Sequence, residues 1–211
     1  MRSLLSALSC FALLASAALA GTHDVAVEAA CFPAAVGCQF LSYRLLASPA
    51  LRDPDAISSA ALNHVRTALS GRGFFEAPAG VRPDLLIEAG WGRGAARRET
   101  RTRTVPAFND PAVNPFGASA PVSYTTTRYH VVVCAKYLTL SARVGATSQQ
   151  AWRVTASLAD DSPALEPALP ILAAAVMNFI GCDSNGTTTL RLSSKDADII
   201  FIAAGLKIAG Q

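Results

Sequence analysis

Residues 124–144 read YTTTRYHVVVCAKYLTLSARV, and residues 150–159 read QAWRVTASLA. Both stretches are rich in β-branched and aromatic side chains, and both alternate. In the first, Tyr129, Val131 and Val133 fall on one face and His130, Val132 and Cys134 on the other, the period of two that a strand imposes. In the second, Trp152, Val154 and Ala156 share a face, which makes Trp152 a core residue. Gly145 lies in the short segment between them, so the two read as paired strands joined by a turn. The rest of the chain is read around this ladder.

Upstream, residues 39–46 form an apolar and aromatic run suited to a strand. Asp53-Pro54-Asp55 is a helix start, with Asp53 as N-cap, Pro54 in the first turn and Asp55 favourable to the helix dipole. Ile57, Ala61, Val65 and Ala68 then recur at helical spacing until Gly71. Residues 84–89 follow Pro83 as a buried strand. Residues 105–123 hold Pro106, Pro111, Pro115 and Pro121 and read as a long Pro/Gly-rich loop. Downstream, a second helix runs from about Pro170 to Ile180, because a proline is tolerated in the first turn and not deeper. Gly181 and Asn185-Gly186 end it, and strands at 188–192 and 199–202 close the chain. Helices and strands do not alternate strictly, which argues against a doubly wound parallel sheet. The expected fold class is α+β, two-layer, with a mainly antiparallel β-sheet and two helices packed on one face.

Residues 1–20 read as a cleaved signal peptide. Arg2 precedes an apolar run from Leu4 to Leu19, and Ala18-Leu19-Ala20 is the small-x-small site of signal peptidase, with Ala20 and Gly21 flanking the cut. The run is short for a membrane span and lacks a basic stop-transfer flank. Neither Cys10 nor Cys31 is preceded by lipobox residues. The expected location is periplasmic or secreted, without a lipid anchor and not membrane-spanning after cleavage. Residues 21–38 read as an N-terminal extension and 39–211 as a single domain.

The chain holds 18 basic and 15 acidic residues. Losing Arg2 leaves 17 against 15, a balance that does not recommend nucleic acid as a partner. Arginine outnumbers lysine 15 to 3, the bias of a GC-rich genome such as that of a Gram-negative bacterium. Cys31, Cys38, Cys134 and Cys182 survive processing. In an oxidising compartment an even number reads as disulfides, with three possible connectivities. The expected pairs are Cys31–Cys38 and Cys134–Cys182, with free buried thiols as the alternative.

The order of several short motifs resembles the bacterial envelope family catalogued as domain of unknown function 4136. The matching residues are Tyr43-Arg44-Leu45-Leu46, then Leu69-Ser70-Gly71-Arg72-Gly73-Phe74, then Arg82-Pro83-Asp84-Leu85-Leu86-Ile87, and finally Ala151-Trp152-Arg153-Val154-Thr155-Ala156-Ser157. The resemblance covers about residues 40–190 and implies an envelope location and a two-layer α+β fold. It implies no catalytic residues. Many members look like lipoproteins, whereas this chain lacks a lipobox, and the four cysteines are not part of the pattern.

Motifs for nucleotide, zinc and serine chemistry are missing. Gly90-Trp91-Gly92-Arg93-Gly94 has Ala95 where a dinucleotide loop needs its third glycine, so it reads as a bent or bulged strand. His23, His64 and His130 are scattered without metal spacing, and Asp183-x-Asn185-Gly186 reads as a turn. No metal, cofactor or catalytic residue is expected. The charged feature is Arg93, Arg97, Arg98, Arg101 and Arg103, opposed by Glu99. Strand geometry puts Arg97, Glu99, Arg101 and Arg103 on one face and Thr100, Thr102 and Thr104 on the other. Arg97, Arg98, Arg101 and Arg103 are the candidate ligand-binding residues, for an anionic envelope component or a partner protein. The alternative is a solvated edge that discourages aggregation. The expected function is that of a non-catalytic periplasmic binding protein. The alternative is a periplasmic hydrolase whose site the linear sequence hides. N-terminal sequencing of the exported protein should begin at Gly21, and a lipid-modified N-terminal cysteine would overturn that reading.

Overall fold

The computed structural model describes residues 21–35, 39–47, 56–107 and 123–205. The expected signal peptide (residues 1–20), Cys38, the expected helix start at Asp53-Pro54-Asp55 and the middle of the proline-rich loop therefore lie outside the described residues. The elements follow in the order β1 (Thr22–Cys31), β2 (Ser42–Ala47), α1 (Ala56–Gly71), β3 (Phe75–Glu76), β4 (Leu85–Ala107), β5 (Ser123–Val144), β6 (Gln150–Asp160), α2 (Leu169–Met177), β7 (Thr187–Ser193) and α3 (Ala197–Ala204). The strands form one sheet in the order β3-β2-β4-β5-β6-β1-β7. β2 runs parallel to β3 and β4, and every other neighbouring pair is antiparallel. The class is α+β, with seven strands and three α-helices among the described residues.

Alternation sorts each strand into a buried and an open face. Leu85, Ile87, Ala89 and Trp91 of β4 lie across from Val144, Ala142, Leu140 and Leu138 of β5. The same side carries Val154, Ala156 and Leu158 of β6 and Val25 and Val27 of β1. These side chains share one core with Ala61, Val65, Ala68 and Leu69 of α1, with Ile199 and Ile202 of α3, and with α2. Eight of the nine α2 residues are buried, as a helix apolar all round its circumference requires. α2 lies against β5, β6 and β1, and α1 and α3 flank it.

Two sequence expectations differ from the structure. Residues 21–38 do not merely precede the domain: β1 is inserted between β6 and β7, with Val25, Val27 and Ala29 buried. Residues 199–202, expected as a strand, belong to α3. Asp196 stands in extended conformation ahead of the helix, its carboxylate accepts from Ser193 N at 2.8 Å, and its carbonyl accepts from Ile200 N at 3.0 Å. Gly205, at φ +68°, follows the last turn. Helical spacing buries Ile199 and Ile202 together and leaves Ile200 and Phe201 exposed, whereas a strand would have set Ile199 and Ile202 on opposite faces. Among the described residues the α-helices are thus three, not two.

Polar contacts secure both ends of the central strands. Asp84, just ahead of β4, accepts from Ser42 N at 2.9 Å, Ser42 Oγ at 2.8 Å and Leu41 N at 3.2 Å. The backbone donor of Ser42, followed by its hydroxyl and the Leu41 amide, holds the Asp84 carboxyl below its ordinary value. Tyr43, buried and next to Ser42 in sequence, has its phenol pushed up to about 12, mainly by burial and then by the Glu76 carboxylate. At the far end of β6, the almost fully buried Lys136 donates to Asp160 Oδ1 at 2.6 Å. Asp160 Oδ1 also accepts from Ser162 N at 3.0 Å. Breaking a buried pair strands a charge, while replacing the charge by an apolar chain of similar length does not. Asp160→Ala should therefore lower unfolding stability by about 3 kcal/mol in urea titrations, and the double change Lys136→Met with Asp160→Ala should recover most of it. Equal losses in the two variants would show that the pair is not what holds this end.

Candidate functional site

The arginine stripe sits on an extension of the sheet. β6 reaches no further along β5 than the pairing of Asp160 with Cys134, and β2 reaches no further along β4 than Ala89. Beyond these points β4 and β5 continue with no other described strand beside them through eleven pairs, from Arg97 opposite Val133 to Ala107 opposite Ser123. At about 3.4 Å per residue this two-stranded arm extends roughly 34 Å. Its base is a β-bulge: β4 takes three steps from Arg93 to Ala96 while β5 takes two, from Lys136 to Cys134. One extra residue reverses the alternation of β4. Odd residues face the core before it, and even residues continue that side after it. The glycine-rich run thus acts as the bulged strand expected from sequence, and Arg93 donates to Pro163 O at 3.0 Å, a structural contact.

The register fixes the faces of the arm. Arg97, Glu99, Arg101 and Arg103 share one with Val133, Val131, Tyr129 and Thr127, as alternation predicts. Arg98 lies on the other, with Thr100, Thr102 and Thr104 opposite His130, Arg128 and Thr126. The four candidate arginines therefore form no single patch. Arg97 spends its guanidinium on Glu99, with Nη2 at 2.7 Å and Nε at 2.9 Å. Arg101 Nη2 stands 3.9 Å from the other Glu99 oxygen. Arg98, Arg103 and Arg128 make no ion pair with a described residue. Arg128 was missed in the sequence reading, although folding 124–144 back on β4 brings it to the arm. Five arginines then face a single glutamate over the paired segments. Every one of Tyr124, Thr125, Thr126, Thr127, Arg128, Tyr129 and His130 is exposed, and cross-strand hydroxyl contacts (Thr100 to His130 at 3.1 Å, Thr104 to Thr126 at 3.2 Å) join the strands.

A second polar region lies on the open face of the sheet. Arg153 stands between a concavity of about 460 Å³, lined by Glu28, Thr155, Ser184 and Thr187, and one of about 250 Å³, lined by Glu88, Thr139 and Ser141. Thr139 and Thr155 hydroxyls meet at 3.0 Å, and Thr187 donates to Glu28 at 2.6 Å. None of these residues is a candidate site residue from the sequence, although Arg153 and Thr155 belong to one of the motifs quoted above. Their only signal was their place opposite the buried positions of β1, β4, β5 and β6.

The histidines do not converge. His64 Nδ1 is 3.0 Å from Ile202 O, His130 joins Thr100 on the arm, and His23 lies on β1. Among the described residues no group of three or more His, Cys, Asp or Glu is placed to hold a metal ion. No helix of the described residues is long and apolar enough to cross a membrane. Asn185 forms the turn expected there, its amide donating to Asp183 Oδ1 at 2.8 Å.

Cys31, Cys134 and Cys182 carry unbridged thiols, and Cys38 lies outside the described residues. The expected pair of Cys134 and Cys182 is not formed, for a geometric reason. Cys134 is opposite Asp160, whereas Ser184, two residues from Cys182, bonds to Ala29, which is opposite Val154. Six residues of β6 separate those levels, roughly 20 Å, against the Cα separation of about 7 Å that a disulfide can span.

No family model and no curated protein matches the chain. A PDZ domain protein from Parabacteroides distasonis aligns with a TM-score of 0.47 at 12% identity, over 88% of this chain and 42% of that one. The chain thus spans less than half the length of that protein. A PelC dodecamer from Paraburkholderia phytofirmans aligns at 0.40 and 14% identity, over 76% of this chain and 99% of that one. A variant of the same dodecamer aligns at 0.36 and 15% identity, over 75% and 98%. At these TM-scores the likenesses carry no functional argument.

An isolated two-stranded ribbon is marginal in water, so the arm should open locally far more readily than the sheet. Hydrogen exchange of the free protein should show protection falling between Leu138 and Val131 on β5, and between Trp91 and Arg98 on β4. Uniform protection along both strands would mean that another part of the protein covers the arm.

Proposed function

We propose that the protein is a non-catalytic binding protein of the bacterial envelope, exported to the periplasm or beyond, that engages an anionic envelope component through the β4–β5 arm. The observation that carries this reading is the arm itself. It extends past every described neighbouring strand, is exposed along most of its length, and concentrates five arginines against one glutamate. Guanidinium groups suit carboxylate and phosphate oxygens because their planar fork makes two parallel hydrogen bonds. Cross-strand threonines and Tyr124 and Tyr129 add hydroxyl donors beside that charge. The motif order shared with envelope proteins supports the location.

The arginines do not contribute equally. Arg103 and Arg128 have no described ion-pair partner, whereas Arg97 is engaged by Glu99. Retention of the purified protein on anionic lipid vesicles and on peptidoglycan should fall as salt rises to physiological strength, where screening acts over about 8 Å. Arg103→Ala combined with Arg128→Ala should lower that retention several-fold with an unchanged melting temperature, since exposed substitutions alter stability by less than about 0.5 kcal/mol. Glu99→Gln, which releases Arg97 and Arg101, should raise it. Retention of the double variant equal to the parent on both supports would leave the arm as a solvated edge.

A further inference from the structure

We infer that Cys31 and Cys182 form a disulfide that fastens the end of β1 to the segment entering β7, a pairing distinct from both bridges expected from the sequence. β7 runs antiparallel to β1, with Glu28 opposite Thr187. Just before β7, Ser184 N donates to Ala29 O at 3.1 Å and Ser184 Oγ accepts from Ala29 N at 2.8 Å. The chain entering β7 therefore already lies beside β1 at Ala29. Two residues onward along β1 is Cys31, and two residues back from Ser184 is Cys182. The β1–β7 ladder ends at Glu28 and Thr187, so it is the contact of Ser184 with Ala29, and not strand register, that brings Cys182 toward Cys31, and a disulfide needs their Cα atoms within about 7 Å.

A second observation sets Cys31 near the residues that lead into Cys182. Cys31 pairs with Trp152 on the helix-facing side of the sheet. A cavity of about 470 Å³ on that side is lined by Cys31 and Trp152 together with Ile180 and Gly181, the residues leading into Cys182. Gly181, at φ +72°, turns the chain there, and Cys182 Sγ lies 3.8 Å from Ile180 O. Both thiols are half-buried and unbridged. The bridge would close a loop of about 150 residues that contains most of the sheet, the class of cross-link that most restricts the unfolded chain.

The oxidant is a small exchangeable disulfide such as oxidised glutathione. One cysteine thiolate attacks it, forming a mixed disulfide and releasing one glutathione thiolate. The second cysteine thiolate attacks the protein sulfur of that mixed disulfide and releases the other. Two protein thiols and one glutathione disulfide become one protein disulfide and two glutathione thiols, with the two thiol protons taken up by the released thiolates.

The test is a peptide map of the full chain, equilibrated with oxidised and reduced glutathione, alkylated and digested without reduction. The expected product is a Cys31–Cys182 cross-linked peptide, with Cys134 alkylated, and the oxidised protein melting several degrees above the reduced one. The same cross-link should form to the same extent in Cys38→Ser. In Cys31→Ser the thiol of Cys182 should become alkylatable. Should that variant fail to fold, the maps of the parent and of Cys38→Ser decide alone. A dominant Cys31–Cys38 peptide, or an alkylated Cys182 in the oxidised parent, overturns the assignment.

Discussion

A single extra residue in β4, between Arg93 and Ala96, sets the form of the molecule. Before it, β4 belongs to a seven-stranded sheet and buries Leu85, Ile87, Ala89 and Trp91 against the helices. After it, the alternation is reversed and, among the described residues, the strand pairs with β5 alone. Had the alternation continued unbroken, the odd positions that carry Arg97, Glu99, Arg101 and Arg103 would prolong the core-facing side. The bulge instead places them on the side that faces away from the helices, and leaves Arg98 with the threonines on the other. Gly94 eases the passage: a Cβ there would stand 3.3 Å from that of Ala135 on the facing strand.

The helix side of the sheet supplies the rigidity that such an arm needs at its base. α2 is buried on nearly every side and is held between the sheet and the two other helices. Where β6 stops, Lys136 and Asp160 close the core with a charged pair rather than with apolar side chains. Asp160 also receives the amide of Ser162, so the same carboxylate stabilises the ammonium and turns the chain toward α2. At the opposite end, Asp84 and Ser42 exchange hydrogen bonds: Ser42 Oγ donates to the carboxylate and accepts from Asp84 N at 3.0 Å. Because the Asp84 carboxyl is held below its ordinary value, this contribution is present above the unfolded pKa of about 3.9 and disappears as pH falls through the folded one.

Much of the architecture was legible because its signals are periodic. Alternation placed β5 and β6, put Trp152 in the core and sorted the arginines of β4 correctly around Glu99. Helical spacing in Ala61, Val65 and Ala68 located α1. The failures have equally physical causes. β1 is hard to read from sequence because its buried face consists of only Val25, Val27 and Ala29, with Ala26 and Ala30 blurring the alternation. The short apolar run 199–202 suits either period, and only Asp196, whose carbonyl accepts from the Ile200 amide, and the position of Gly205 separate helix from strand. The pairing of Cys134 with Cys182 was a choice among connectivities that spacing alone does not determine. The open-face residues around Arg153 carry no linear motif at all: Glu28, Glu88, Thr139 and Arg153 come from four strands and meet only through the register.

The central claim is that the arm, and not the open face around Arg153, meets the anionic partner. Hydrogen exchange compared with and without anionic vesicles or peptidoglycan at low salt measures this directly, because binding slows exchange where the partner lies. Added protection confined to residues 97–107 and 123–133, and lost again at physiological salt, is the expected result. Added protection on β1 and β6 around Glu28 and Arg153, with the arm exchanging as in the free protein, contradicts it.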